Sequence, residues 1–194
     1  MVKSTGNKKI KIAIFISGNG SNMKNLIRFS KLKNSPIKVD FVLSSNKKAG
    51  GLKYLKKTKI YFQIFNFRQK SKDEKKILKI LKKRKTQLIC LAGFMKILSG
   101  GFIKKFNGKI LNIHPSLLPE YKGLNTHERV ILNKEKYSGC TVHIVNSKLD
   151  AGKIILQKKV KITKKDNVKS LSKKILKQEH LLYPKALKML LTKP

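Results

Sequence analysis

The chain is short of acid: nine Asp and Glu residues stand against 47 Lys and Arg, a formal charge of +38 over 194 residues. That balance suggests a polyanion such as RNA as partner. Arginine is scarce too. Only Arg28, Arg68, Arg84 and Arg129 occur, so nearly all the positive charge is lysine, whereas base reading and bidentate phosphate gripping favour arginine. The lysines are spread along the whole chain, without clustered arginine or a platform of aromatics. This argues against a non-catalytic RNA-binding protein and for solvated faces filled with lysine, the drift expected of an AT-rich genome. No specific nucleic-acid partner is expected.

Cysteine is nearly missing as well. Cys90 and Cys140 lack metal-ligand spacing, which excludes a disulfide framework or a cysteine-based metal centre and points to buried thiols in a reducing compartment. No apolar run approaches the ~18 residues of a membrane span. Residues 1–9 are polar and basic, with no apolar stretch and cleavage site behind them. A flexible basic N-terminus, a cytoplasmic location and no membrane contact are therefore expected. Internal repeats and low-complexity linkers are absent. With 40% hydrophobic residues, residues 1–194 read as a single domain.

What is present alternates. Apolar runs at Lys11–Ile16, Val39–Leu43, Tyr61–Phe65, Gln87–Ala92 and 109–113 read as strands, and helical spacing appears after Ser21, over Lys48–Lys57, over Ser71–Lys85 and near Gly100–Phe106. After Pro119 come a loop, a short helix near His127–Asn133, and two strand-like runs separated by a turn with Asp150 and Gly152. A long helix over Asn167–Leu191, with Pro184 as a kink, closes the chain. The pattern predicts an α/β, Rossmann-like fold: a mostly parallel sheet with helices on both faces, then an antiparallel hairpin and a long helix.

Chemistry concentrates where strands end. In Lys109-Ile110-Leu111-Asn112-Ile113-His114-Pro115 side chains alternate, so Asn112 and His114 project to one side and Pro115 ends central pairing. An amide donor beside an imidazole suits attack on a carbonyl, one group holding developing negative charge while the other moves a proton. Asp150 follows in Leu149-Asp150-Ala151-Gly152 and is expected to raise the His114 pKa and favour its cation. The loop Gly18-Asn19-Gly20-Ser21-Asn22, between a strand and a helix, offers N–H groups and the Ser21 and Asn22 side chains to an anion. It lacks the third glycine of a dinucleotide fingerprint and the Gly-Lys-Ser/Thr of a Walker loop.

The blocks Ile14–Asn22, Leu91–Leu98, Asn112–Pro119 and His143 with Leu149–Gly152, in this order and spacing, resemble phosphoribosylglycinamide formyltransferase, the glycinamide ribonucleotide formyltransferase family of de novo purine synthesis. The resemblance spans about residues 10 to 190. It implies a formyltransferase fold and transfer of a formyl group from 10-formyltetrahydrofolate to the amino group of glycinamide ribonucleotide. It also implies no metal, and a monomer or homodimer. Carried over by position, Asn112, His114 and Asp150 are catalytic, and Asn112 also meets the folate. Gly20, Ser21, Asn22 and Glu179 hold the ribonucleotide. Met95, Lys96, Ile97 and Leu98 line the folate pocket, and Lys70, with Arg68 as the alternative, is its basic contact. His143 has no assigned role, and His127 and His180 read as surface groups. Three positions depart from the family pattern: Asn125 stands where histidine is common, Lys153 replaces the proline after the Asp-x-Gly turn, and Lys96 replaces the commoner arginine beside the folate loop. Methionyl-tRNA formyltransferase is the rival reading. The phosphate loop, Glu179 and a chain that stops at Pro194 before any C-terminal barrel argue against it.

Overall fold

A computed structural model describes residues 9–192; the flexible tail expected over residues 1–9 thus lies, but for Lys9, outside the described residues. The run Ile-Lys-Ile-Ala-Ile-Phe-Ile forms β1 (Ile10–Ile16), which carries no solvated face apart from Lys11. A strand apolar on both sides belongs at the centre of a parallel sheet. There β1 lies between β2 (Ile37–Ser44) and β4 (Leu88–Leu91), parallel to both. The sheet continues outward through β3 (Tyr61–Ile64) on one side and β5 (Lys109–His114) on the other. The antiparallel hairpin β6 (Tyr137–Ile144) and β7 (Ile154–Lys161) completes the order β3-β2-β1-β4-β5-β6-β7.

Alternation along β1 divides the core. Ile10, Ile12, Ile14 and Ile16 pack with α1 (Ser21–Lys31) and α6 (Val168–Thr192), while Ala13 and Phe15 pack on the other face with α3 (Lys70–Lys83) and α4 (Gly100–Lys105). Helices therefore cover both faces, as the alternating sequence requires. Strand order reverses between β1 and β4, and the loops leaving the carboxyl ends of these two strands splay apart. Such a switch point is where open α/β sheets bind ligands.

The structure moves several boundaries. The helix expected over Lys48–Lys57 shrinks to α2 (Gly51–Leu55), because Asn46 takes the Lys48 N–H on its side chain and the Ala49 N–H on its carbonyl, turning the chain first. Helix α3 starts at Lys70, without a side-chain cap, instead of at Ser71. Glu74, near the start of this helix, is buried, and its carboxylate accepts the Ser99 N–H at 2.8 Å and the Ser99 hydroxyl at 2.5 Å. Helix α6 runs on through Pro184. Proline cannot bond the carbonyl four residues back, and Asn25 takes that His180 carbonyl at 2.6 Å. Both cysteines are free and buried, and burial pushes their thiols up to about 12. Among the described residues no helix is long and apolar enough to cross a membrane.

Candidate active site

A cleft of about 730 Å³ opens at the switch point. Its floor is the end of β5, its sides are the loops after β1 and β4, and the β6–β7 turn and the segment around α5 (Thr126–Leu132) close it from above.

The loop after β1 ends at Gly20, whose φ of 69° is left-handed; a Cβ there would press on Gly51 Cα and the Met23 side chain at 3.0 Å. Glycine makes the turn, and the first N–H groups of α1, which a helix cannot satisfy internally, face the cleft. The Asn22 side chain is committed elsewhere: its amide donates to Glu179 Oε2 at 2.7 Å, and its Oδ1 is buried without a partner. Glu179 lies on the same apolar flank of α6, and burial raises its pKa, the Asn22 bond acting less strongly in the other direction.

The loop after β4 is anchored by Phe94, whose ring packs edge-on to Phe15 and Phe67. Beyond it Met95 and Ile97 stand 63% and 65% exposed while lining the cleft, so two large apolar side chains project into the cavity instead of the core. Lys96 and Leu98 line it too. Lys70 and Arg68 do not: both are exposed on the α3 side, and neither belongs to the cleft wall.

Alternation on β5 brings Asn112 and His114 to the cleft, and the antiparallel β5–β6 register sets His143 directly across from Asn112. The Asn112 amide nitrogen lies 3.2 Å from His143 Nε2 and 3.3 Å from Asp150 Oδ1. His143 Nδ1 meets the Ile144 carbonyl at 3.1 Å, so Nδ1 carries a proton, and its Nε2 also lies 3.5 Å from Asp150 Oδ1. His114 Nδ1 is 3.4 Å from Asp150 Oδ2, and its Nε2 is 2.8 Å from the Tyr121 carbonyl. Asp150 has a φ of 44° and accepts the Gly123 N–H at 3.0 Å. The turn that presents it depends on Gly152, where a Cβ would overlap the Ile144 carbonyl.

Electrostatics correct one expectation. Burial lowers the His114 pKa; the Tyr121 carbonyl and Asp150 act upward but do not outweigh it, and His143 and Arg129 add to the lowering. The resting imidazole is thus neutral at pH 7, not a cation. Burial alone would raise Asp150, but His143, the Gly123 N–H and His114 together outweigh it and hold the carboxyl at about 2. An ionised carboxylate beside a neutral imidazole can accept a proton as a pair, because the cation formed is stabilised where it forms. His143 joined this cluster unassigned; the period-two pattern of β6 marks its face, but only the β5–β6 pairing sets it across from Asn112. His127 and His180 are half-buried, not surface groups. Each has one buried ring nitrogen without a partner, and burial lowers both pKa values. No cluster of three or more His, Cys, Asp or Glu among the described residues is placed to hold a metal ion.

A cleft with amide and imidazole at the end of β5 and a carboxylate on the β6–β7 turn above them is suited to group transfer, and a family described as formyl transferase matches residues 10–187. The chain belongs to the formyl transferase family. It is 40% identical to the phosphoribosylglycinamide formyltransferase of Haemophilus influenzae over 181 residues, 92% of this chain and 85% of that protein. It is equally 40% identical to the human trifunctional purine biosynthetic protein adenosine-3 over 185 residues, 94% of this chain, but spans only 18% of that protein's length. The crystal structure of phosphoribosylglycinamide formyltransferase from Brucella melitensis superposes with a TM-score of 0.88 at 43% identity, covering 94% of this chain and 96% of that one. The enzyme from Bacillus halodurans gives 0.90 at 33% identity, with 94% and 96% covered. The resemblance and the fold read from the motifs are borne out.

Proposed function

We propose that this protein transfers the formyl group of 10-formyltetrahydrofolate to the amino group of glycinamide ribonucleotide. The observation that carries this reading is the juxtaposition of Asn112, His114 and Asp150, midway between a helix start suited to a phosphate and a loop of projecting apolar side chains. The N–H groups at Gly20, Ser21 and Asn22 hold the phosphate, and Glu179 meets the ribose. Met95, Lys96, Ile97 and Leu98 receive the folate rings, the exposed thioether and Ile97 supplying apolar surface.

Attack of the amine on the formyl carbon forms a C–N bond and puts negative charge on oxygen. The Asn112 amide, whose two resting contacts are long, turns one N–H to that oxygen. The His114–Asp150 pair takes the proton the amine sheds, at His114 Nδ1, so that the cation appears beside the oxyanion only as the latter forms. The same proton passes to the folate nitrogen as its bond to carbon breaks, leaving formyl-ribonucleotide and tetrahydrofolate. His143 keeps Asn112 oriented.

Purified protein with 10-formyltetrahydrofolate and glycinamide ribonucleotide is expected to form tetrahydrofolate and formylated ribonucleotide in equal amounts. No turnover with the ribonucleotide, or turnover only with charged initiator tRNA, defeats the proposal.

A further inference from the structure

The segment after β5 reaches back onto the site through backbone atoms alone. The Tyr121 carbonyl accepts from His114 Nε2 at 2.8 Å, and two residues on the Gly123 N–H donates to Asp150 Oδ2 at 3.0 Å. One short stretch of loop therefore clasps both members of the imidazole–carboxylate pair. The conformation is not one the chain adopts freely: Tyr121 has a φ of 54°, a left-handed value that an aromatic residue keeps only where its surroundings impose it.

The Tyr121 side chain lies outside the cleft wall. Its hydroxyl donates to Glu135 Oε1 at 2.6 Å and accepts from Asn133 Nδ2 at 2.9 Å. The Arg129 guanidinium lies 5.3 Å from the ring centroid and donates to the Lys122 carbonyl at 2.7 Å, on the residue between the two that touch the site. Arg129, Asn133 and Glu135 are all exposed, and none lines the cleft. No catalytic role accounts for this group.

Its effect falls on the proton inventory of His114. A carbonyl oxygen only accepts, so Tyr121 selects the Nε2–H tautomer of the neutral ring and leaves Nδ1, 3.4 Å from Asp150, as the nitrogen that gains and loses the proton. Were the carbonyl to drift, the ring could place its proton on Nδ1 against the carboxylate, and the basic nitrogen would become Nε2, on the side of the ring away from Asp150.

We propose that Tyr121 is a positioning residue, and that its side chain, anchored by Glu135, Asn133 and Arg129 on the outer surface, holds its own carbonyl on His114 Nε2 and so fixes which imidazole nitrogen is basic. The statement about turnover rests on the formyl-transfer reading; the statement about the tautomer does not. The other groups acting on His114 are Asp150 from the hairpin turn, His143 from β6, and Arg129 and His127 from α5, and the variants below leave all four in place.

The test compares Tyr121→Phe, Glu135→Ala and Glu135→Gln with the unaltered protein, reading the nitrogen chemical shifts of the His114 ring by long-range proton–nitrogen NMR without substrate, above the pH at which the ring titrates. The unaltered protein is expected to show a protonated Nε2 and a bare Nδ1. Tyr121→Phe and Glu135→Ala move both shifts toward the average of two exchanging tautomers, and Glu135→Gln, which keeps an accepting oxygen, restores the original pattern. In the same variants kcat falls roughly tenfold, a part of the 10²–10⁴ that positioned proton transfer contributes, while KM for each substrate stays within about twofold. Identical nitrogen shifts in Tyr121→Phe overturn the proposal. A fall in kcat with unchanged shifts overturns it as well, since it marks a general loosening of the loop. A protein without transferase activity that still shows the tautomer shift defeats the function reading and leaves the positioning role standing.

Discussion

The backbone N–H of Met95 donates to the Ser17 hydroxyl at 2.8 Å, and the Ser17 N–H donates to the Gly93 carbonyl at 3.0 Å. Ser17 ends β1 just before the glycine-rich loop, and Met95 lies in the apolar loop after β4. The two walls of the cleft are thus joined behind it, with Ser45 bonded to the same hydroxyl at 2.6 Å.

Ser17→Ala removes that shared hydroxyl and strands the Met95 N–H. A partly buried donor left unpaired costs about 1–3 kcal/mol, so thermal unfolding should shift downward accordingly. Because both loops lose the same brace, KM for the ribonucleotide and for the folate should rise together in steady-state assays. A rise in one alone speaks against the brace.

Asp150→Asn replaces a carboxylate that accepts from both Asn112 and Gly123 with a group that must present a donor to one of them. It also removes the counter-charge that would stabilise the imidazolium. Turnover should fall by about 10²–10⁴, with folate affinity, measured by equilibrium titration, nearly unchanged because the folate loop is untouched. Retained turnover excludes the role assigned to the pair.

The pH profile follows from burial. Lowering of the His114 pKa keeps its base form populated to lower pH, so kcat/KM should stay level through neutrality and decline on the acid side only below 6.5, the ordinary imidazole value. Asp150 acts upward on that group, so in Asp150→Asn the residual activity should hold to still lower pH. An acid limb above 6.5 in the unaltered enzyme would contradict a desolvated, neutral His114.

Glu179 carries the opposite consequence for stability. Its folded pKa is raised above 4.5, so its contribution to stability is fully present below the unfolded value and lost as pH rises through the folded one. Glu179→Gln escapes that loss and can still accept from Asn22. Its melting temperature should exceed that of the unaltered protein at neutral pH and converge with it in acid, while KM for the ribonucleotide rises. A parallel offset at every pH would refute the assignment to ionisation.

Much of the site could be read one strand at a time. Side chains two apart on a strand share a face, so the sequence alone pairs Asn112 with His114, and the glycine-rich run between a strand and a helix makes an N–H-lined turn. Elements were harder at their edges. Asn46 turns the chain and delays the start of α2, and Glu74, whose place in α3 says nothing of its burial, is the buried partner of Ser99. The nine acids as a group show the same gap. Composition presents them as a minority in a lysine-rich chain, yet Asp40, Glu74, Glu135, Asp150, Asp166 and Glu179 each accept at least one side-chain hydrogen bond.

By itself the sequence determined the alternation of strands and helices, the faces of β5 and the two loops that wall the cleft, because periodicity and turn chemistry act within a few residues. Only the tertiary structure decided that His143 lies across from Asn112, that Glu179 meets Asn22 across 157 positions, and that Tyr121 turns its carbonyl onto His114. It also decided the charge of the imidazole. Spacing puts a carboxylate near a histidine, but desolvation depends on everything packed around the pair, and here it outweighs the neighbouring charge.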